Sequence, residues 1–187
     1  LVTLTGKTSL QVNATAVTKI DGSHEDFFGN GVDTGLLNIS VDLDLNDGAL
    51  KGEYAVEVTD AALDATQVTA LAGVTTGTVD ATDVLTVTGS VTDLLEVVAL
   101  NDGGGAGNLT MAANYAVTID VSEGTMSDAG ELRSVLENTT GTVTASGITD
   151  ISGEADDIDA VQLESSLFMA DYNYTVTIAD VDSNLTV

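Results

Sequence analysis

The stretch Val79-Asp-Ala-Thr-Asp-Val-Leu-Thr-Val-Thr-Gly-Ser-Val-Thr-Asp-Leu94 is one of three versions of the same pattern in this chain. Val12 to Phe27 precedes it by 67 residues and Val143 to Ile158 follows it by 64. The three overlay without gaps as V-x-A-[ST]-x-[VI]-x-x-[VI]-x-G-x-x-x-D-[FLI]. Self-similarity at such a period marks supersecondary units that cannot bury an apolar face alone and rely on their neighbours to cover it. The expected fold is therefore an α/β repeat of stacked strand–helix units, solenoid-like, rather than a pocket with chemistry in it. A β-rich sandwich with short helices is the alternative, because helices of about ten residues are weakly marked in a single sequence.

The similarity extends outward from the motif. Asp64 through Gly77 aligns with Asp128 through Gly141, again 64 apart. Asp64 with Gln67, and Asp128 with Glu131, have the spacing of an N-cap and its reciprocal partner. Val68, Leu71 and Ala72 recur as Leu132, Val135 and Leu136, an apolar stripe at i, i+3 and i+4. Gly77 and Gly141 are expected to stop these two helices. A tyrosine and an alternating run stand upstream of each, Tyr54 to Val58 and Tyr115 to Ile119, with a third run at Tyr174 to Ile178. Each reads as a strand with one buried face. After the helix, Gly-Thr-Val opens another short strand, followed by a loop to Gly89 or Gly153 and a second short helix with Asp93-Leu94 or Asp157-Ile158. Strands alternating with helices favour right-handed crossovers and a parallel sheet. The chain divides into residues 1–53, 54–114 and 115–187. The first part holds a partial repeat and an inserted β-hairpin, with arms Ile39 to Leu45 and Lys51 to Val58 about the turn Asn46-Asp47-Gly48. The second is one repeat, and the third a repeat with a terminal strand.

Thirty acidic residues stand against four basic ones, a formal charge of -26. That field excludes nucleic acid as a partner, and self-repulsion of this size is relieved only where cations are plentiful. Twenty-one of the acids are Asp, a common calcium ligand on loops. Hydrophobic residues make up 43% but aromatics only 4%, with no Trp, which suits thin layers of Val, Leu, Ile and Ala. Cysteine is absent, so neither a disulfide framework nor a thiolate metal site is available. No stretch approaches the roughly 20 apolar residues of a membrane span. Leu1 begins in mid-repeat without a basic-then-apolar leader, as expected of a processed subunit or a cut from a longer chain.

The strings Thr75-Thr-Gly-Thr-Val-Asp-Ala-Thr82 with Val87-Thr-Gly89, and Thr139-Thr-Gly-Thr-Val-Thr-Ala-Ser146 with Ile151-Ser-Gly153, resemble repeats of very large secreted surface proteins of marine cyanobacteria and other marine bacteria. The resemblance covers Tyr54 to Asp182 and part of Leu4 to Phe27, and Phe28 to Gly52 departs from it. Such proteins often carry calcium-binding repeats-in-toxin segments. The resemblance implies an extracellular, cell-surface or secreted location and a filament or adhesion role, and it brings no catalytic residues.

Calcium is the cofactor to weigh. Asp42, Asp44, Asn46 and Glu53 fall at positions 1, 3, 5 and 12 of an EF-hand-like loop. Position 6, where glycine is required, is Asp47, and Leu43 and Leu45 alternate with the acids as on a half-buried strand. Asp156, Asp157 and Asp159 form the densest acidic cluster, yet Asp157 aligns with Asp26 and Asp93, which points to helix capping ahead of a cation. Gly103 to Gly107 lacks the aspartate of a glycine-rich calcium turn and reads as a surface loop. Six of the ten asparagines, Asn13, Asn38, Asn108, Asn138, Asn173 and Asn184, begin N-x-S/T, the acceptor signature of glycosylation. Threonine-rich strands generate the same signature without any sugar. His24 is the single histidine, has no cysteine to activate, and no nucleophile-elbow motif accompanies it.

The sequence thus reads as a non-enzymatic extracellular structural protein, part of a surface layer (S-layer), filament or giant adhesin. Its expected partners are copies of itself or adjacent repeats, cations and surface glycans. Leu1 to Leu10 and Tyr174 to Val187 are the segments expected to meet a neighbour, through main-chain strand addition. The alternative is an adhesin or phage-fibre domain whose loops near Gly29 to Thr34 and Gly103 to Gly107 bind a carbohydrate or receptor.

Overall fold

The computed structural model describes residues 12–13, 17–29, 43–44, 53–101, 107–120, 128–145, 148–163, 167–168 and 174–179. In chain order the elements begin β1 (Val12–Asn13), β2 (Lys19–Gly22), α1 (His24–Phe28), β3 (Leu43–Asp44), β4 (Ala55–Val58), β5 (Ala62–Asp64), α2 (Ala65–Ala72), β6 (Val79–Ala81) and β7 (Thr86–Gly89). They continue with α3 (Val91–Asn101), β8 (Leu109–Met111), β9 (Ala116–Ile119), α4 (Ala129–Glu137), β10 (Val143–Thr144), β11 (Asp150–Gly153), α5 (Ala155–Leu163), β12 (Leu167–Phe168) and β13 (Thr175–Ile178). The chain is an α/β protein, and every strand pair whose register is described is parallel. No helix among the described residues is long and apolar enough to cross a membrane.

Two compact units divide the chain. One holds residues 1–85 and 99–112, the other 86–98 and 113–187. In the first, four parallel strands lie in the order β2-β4-β6-β8, and β1 pairs with β3 as a separate two-stranded ribbon. In the second, four strands follow one another as β7-β9-β10-β12, and β11 pairs with β13 as a ribbon. Parallel neighbours require a crossover between them, and a helix lies in sequence between the two strands of every such pair, as α4 does between β9 and β10.

The core is aliphatic, as its composition dictates. Val56 and Val58 of β4, and Val117 and Ile119 of β9, alternate with half-exposed residues and are themselves buried. Each such side chain contributes about 1.5–3 kcal/mol on burial. Asp64 ends β5 and caps α2: its carboxylate accepts the Thr66 N–H at 2.9 Å, while Gln67 Oε1 accepts the Asp64 N–H at 2.9 Å. That is the expected reciprocal box. Below it Ala65, Val68, Leu71 and Ala72 turn to the interior. Asp128 caps α4 by accepting the Gly130 N–H at 2.8 Å, over buried Leu132, Val135 and Leu136.

Three expectations need correction. Gly77 and Gly141 do not stop the helices, which end at Ala72 and Glu137 and are followed by Gly73 and Asn138. The reason for glycine is closeness: a Cβ on Gly77 would lie 2.5 Å from the Tyr54 carbonyl oxygen and 2.8 Å from that of Glu53, and one on Gly141 would collide with the carbonyls of Tyr115 and Asn114. The segments before Gly89 and Gly153 are strands, β7 and β11, rather than loops. The inserted hairpin is also absent among the described residues. Leu43–Asp44 pairs in parallel with β1, and Ala55–Val58 lies between β2 and β6. Alternation marked both arms as strands, but a turn-forming cluster does not choose a strand's partner.

Candidate functional site

The feature with consequences beyond the core is the register of the strands. In the first unit Ile20, Val56, Val79 and Leu109 stand opposite one another across β2, β4, β6 and β8. In the second, Val87, Val117, Val143 and Leu167 do the same across β7, β9, β10 and β12. Main-chain bonds match as well. Val56 N–H donates to the Thr78 carbonyl at 2.8 Å, and Val117 N–H to that of Thr142 at 2.9 Å.

The β11–β13 ribbon carries the start of such a row, Ile151 opposite Val176. Here Thr175 N–H donates to the Thr149 carbonyl and Ala179 N–H to that of Gly153, each at 2.8 Å. By alternation the N–H groups of Val176 and Ile178 point away from β11. Their side chains are 37% and 55% exposed, whereas Val56, Val58, Val117 and Ile119 are 1–2% exposed. Val176 and Ile178 are, with Leu85, the exposed large hydrophobic residues among those described.

A second recurring arrangement locks the tyrosine strands. Thr75 Oγ1 donates to the Tyr54 carbonyl at 2.5 Å and accepts the Gly77 N–H at 2.9 Å. Thr139 Oγ1 donates to the Tyr115 carbonyl at 2.5 Å and accepts the Gly141 N–H at 2.9 Å. Thr75 and Thr139 are the buried polar side chains of the described residues. The Tyr54 hydroxyl donates to the Val74 carbonyl at 2.8 Å, and that of Tyr115 to Asn138 Oδ1 at 3.0 Å. Burial raises both phenols, Tyr115 to about 12. The sequence showed the repeated Thr-Thr-Gly but not that its first threonine seals a strand.

Of the expected calcium ligands, Asp42 and Asn46 lie outside the described residues. Asp44 lies in β3, opposite Asn13 of β1, and Glu53 is exposed just before Tyr54. Asp156 and Asp159 are exposed on α5. Asp157 accepts Arg133 Nη1 at 3.1 Å, and Arg133 also bonds Glu137 at 2.7 Å. The described residues hold no group of three or more acids or histidines placed for a metal ion.

Asp157 pairs with Arg133, whereas the aligned Asp26 and Asp93 help to cap their helices together with serines that sequence reasoning overlooked. Ser23 and Asp26 form a capping box on α1. On α3 the Ser90 hydroxyl donates to Asp93 Oδ2 at 2.7 Å and accepts the Asp93 N–H at 3.1 Å. The S-x-x-D spacing at 23–26 and 90–93 was the available signal; Glu154 replaces the serine in the third copy. The Ser23 hydroxyl, and then its N–H, hold the Asp26 carboxyl below the usual range.

Among the sequons, Asn38, Asn173 and Asn184 lie outside the described residues, and Asn13 lies in β1. Asn108 is spent on structure, since its Nδ2 donates to the carbonyls of Ala72, Thr75 and Gly77 at 3.0, 3.1 and 2.9 Å. Asn138 follows α4 and accepts the Tyr115 hydroxyl. The His24 ring stacks on Phe28 at 4.7 Å between centroids, and its backbone N–H donates to Asp60 at 2.6 Å. Gly107 borders β8, and the rest of the glycine loop lies outside the described residues.

No protein-family model matches the chain, and neither a curated protein nor a solved structure matches it.

Proposed function

We propose that the chain is a non-enzymatic extracellular repeat protein that builds part of a bacterial surface layer, filament or giant adhesin by joining subunit to subunit. The observation that carries this reading is the pair of apolar rows with matching registers, Ile20-Val56-Val79-Leu109 and Val87-Val117-Val143-Leu167. Each row draws on two successive copies of the sequence motif. The copy opening at Val79 gives β6 and β8 to the first unit and β7 and β9 to the second. A copy built this way cannot complete its own set of strands and is covered by its neighbours, as in stacked, solenoid-like repeats.

The function is then steric, the addition of length and surface. The cell-surface location follows from the resemblance noted above and from the charge of -26, which suits a cation-rich exterior. Calcium or another cation screens the carboxylates where copies meet. Electron microscopy of the purified chain with and without calcium tests the reading, and ordered polymers or sheets are expected. A chain that stays monomeric in both conditions while binding a glycan array would be an adhesin domain instead.

A further inference from the structure

We infer that the β11–β13 ribbon of one copy and the β1–β3 ribbon of a second copy are two halves of one parallel sheet, joined by pairing β13 with β1. The inference rests on the assembly reading above and deepens it by naming the joint. In the first unit the order β2-β4-β6-β8 contains a leading pair, β2-β4, and a following pair, β6-β8. In the second unit β7-β9 leads and β10-β12 follows. The alignment of the three motif copies makes β11-β13 a leading pair and β1-β3 a following pair. Among the described residues neither ribbon has its other half.

The register follows without adjustment. β4 meets β6 with Val56 opposite Val79 and Glu57 opposite Asp80. β9 meets β10 with Val117 opposite Val143 and Thr118 opposite Thr144. Val176 and Thr177 align with those leading residues, and Val12 and Asn13 with the following ones. The joint therefore sets Val176 opposite Val12 of the partner subunit and Thr177 opposite Asn13 of the partner subunit. It extends Ile151 and Val176 into a row of four apolar residues ending in the partner's Val12 and the partner's Leu43. It supplies an acceptor to the Val176 N–H, which faces away from β11, and it covers the exposed Val176 and Ile178 side chains. Strand addition of this kind gains affinity from main-chain bonds and selectivity from alternate side chains.

The chain has no cysteine, so a disulfide reports the joint cleanly. Neighbouring strands lie roughly 4.8 Å apart, within the Cα separation of a disulfide, about 4.4–6.8 Å. A mixture of the Thr177→Cys and Asn13→Cys full chains, oxidised in salt and calcium, is expected to give a disulfide-linked heterodimer. Thr175→Cys, two residues along the same face, is expected to give none with Asn13→Cys. Val176→Pro removes the donor that faces the partner, and is expected to abolish assembly while leaving the circular dichroism spectrum unchanged. Wild-type polymers without the heterodimer, or polymers of Val176→Pro, would overturn this joint and leave the assembly reading standing. A Thr177→Cys, Asn13→Cys double variant that closes within one chain at every concentration would remove the second copy as the occupant. Wild type that remains monomeric throughout would overturn both.

Discussion

The threonines at 75 and 139 each satisfy a carbonyl and an N–H that the tight approach of Gly77 or Gly141 has shut away from water. Replacing Thr75 by valine keeps the shape and strands both backbone groups. An unfolding free energy lower by about 1–3 kcal/mol is expected in urea titrations, with Thr75→Ser close to wild type. Gly77→Ala should cost a similar amount, about 1–3 kcal/mol, by forcing a methyl against the Tyr54 carbonyl. Burial at Tyr115 favours the neutral phenol, so its folded pKa stands at about 12 against the ordinary value of 10.0. Stability is then intact below pH 10 and falls as the pH rises toward 12, because the unfolded chain ionises first. Tyrosinate absorbance should show part of the tyrosine signal appearing only as the fold is lost. Asn108 uses its amide nitrogen on three carbonyls, so expression in a glycosylating host should leave it unmodified by mass spectrometry.

At the scale of the element, helix starts are held by short-range capping bonds, and those of the two aspartates at 64 and 128 were legible, although at Asp128 no reciprocal bond to Glu131 accompanies the cap. Asp64 and Gln67 announced α2 by spacing alone, since capping chemistry lies within four residues of sequence. Ser90 caps α3 by the same local chemistry, though its spacing to Asp93 was overlooked in the sequence, and Ser90→Ala should cost about 1 kcal/mol, measured by thermal unfolding. Strands were legible only where their apolar residues alternate without interruption, as in β4 and β9. β7 was hidden because Val84, buried in the preceding turn, stands three residues before Val87 and disguises the period of two. The expected hairpin failed for a related reason: alternation tells which face of a strand is buried and is silent about which strand lies beside it. The role of Gly77 was illegible too, because a glycine after a helical stripe looks the same whether it ends the helix or admits a passing carbonyl. Of the candidate site, the sequence marked the Tyr174 run as a strand, while the exposure of Val176 and Ile178 required the pairing of β13.

Over the whole molecule, the three motif copies were plain in the sequence, but the way the chain deals its strands between two units was not. The unit borders at Leu85/Thr86, Val98/Ala99 and Ala112/Ala113 carry no linker composition, because each falls between elements of one copy or inside α3. Charge is also unevenly spread. On the first unit's sheet Asp21, Glu57 and Asp80 stand side by side in register, while the corresponding row of the second unit begins Thr88, Thr118 and Thr144. Like charges on adjacent strands repel, and Lys19 answers them by pairing with Glu57, which together with Asp21 and Asp80 raises the lysine's pKa. Lys19→Ala should therefore lower the thermal midpoint at low ionic strength. The loss should shrink as sodium chloride cuts the screening length from about 10 Å at 0.1 M to about 3 Å at 1 M. Thr75→Val is the control, because bonds to a neutral backbone carbonyl and N–H keep their value in salt. If both variants lose the same increment at every salt concentration, repulsion within this acidic row is not what the lysine relieves.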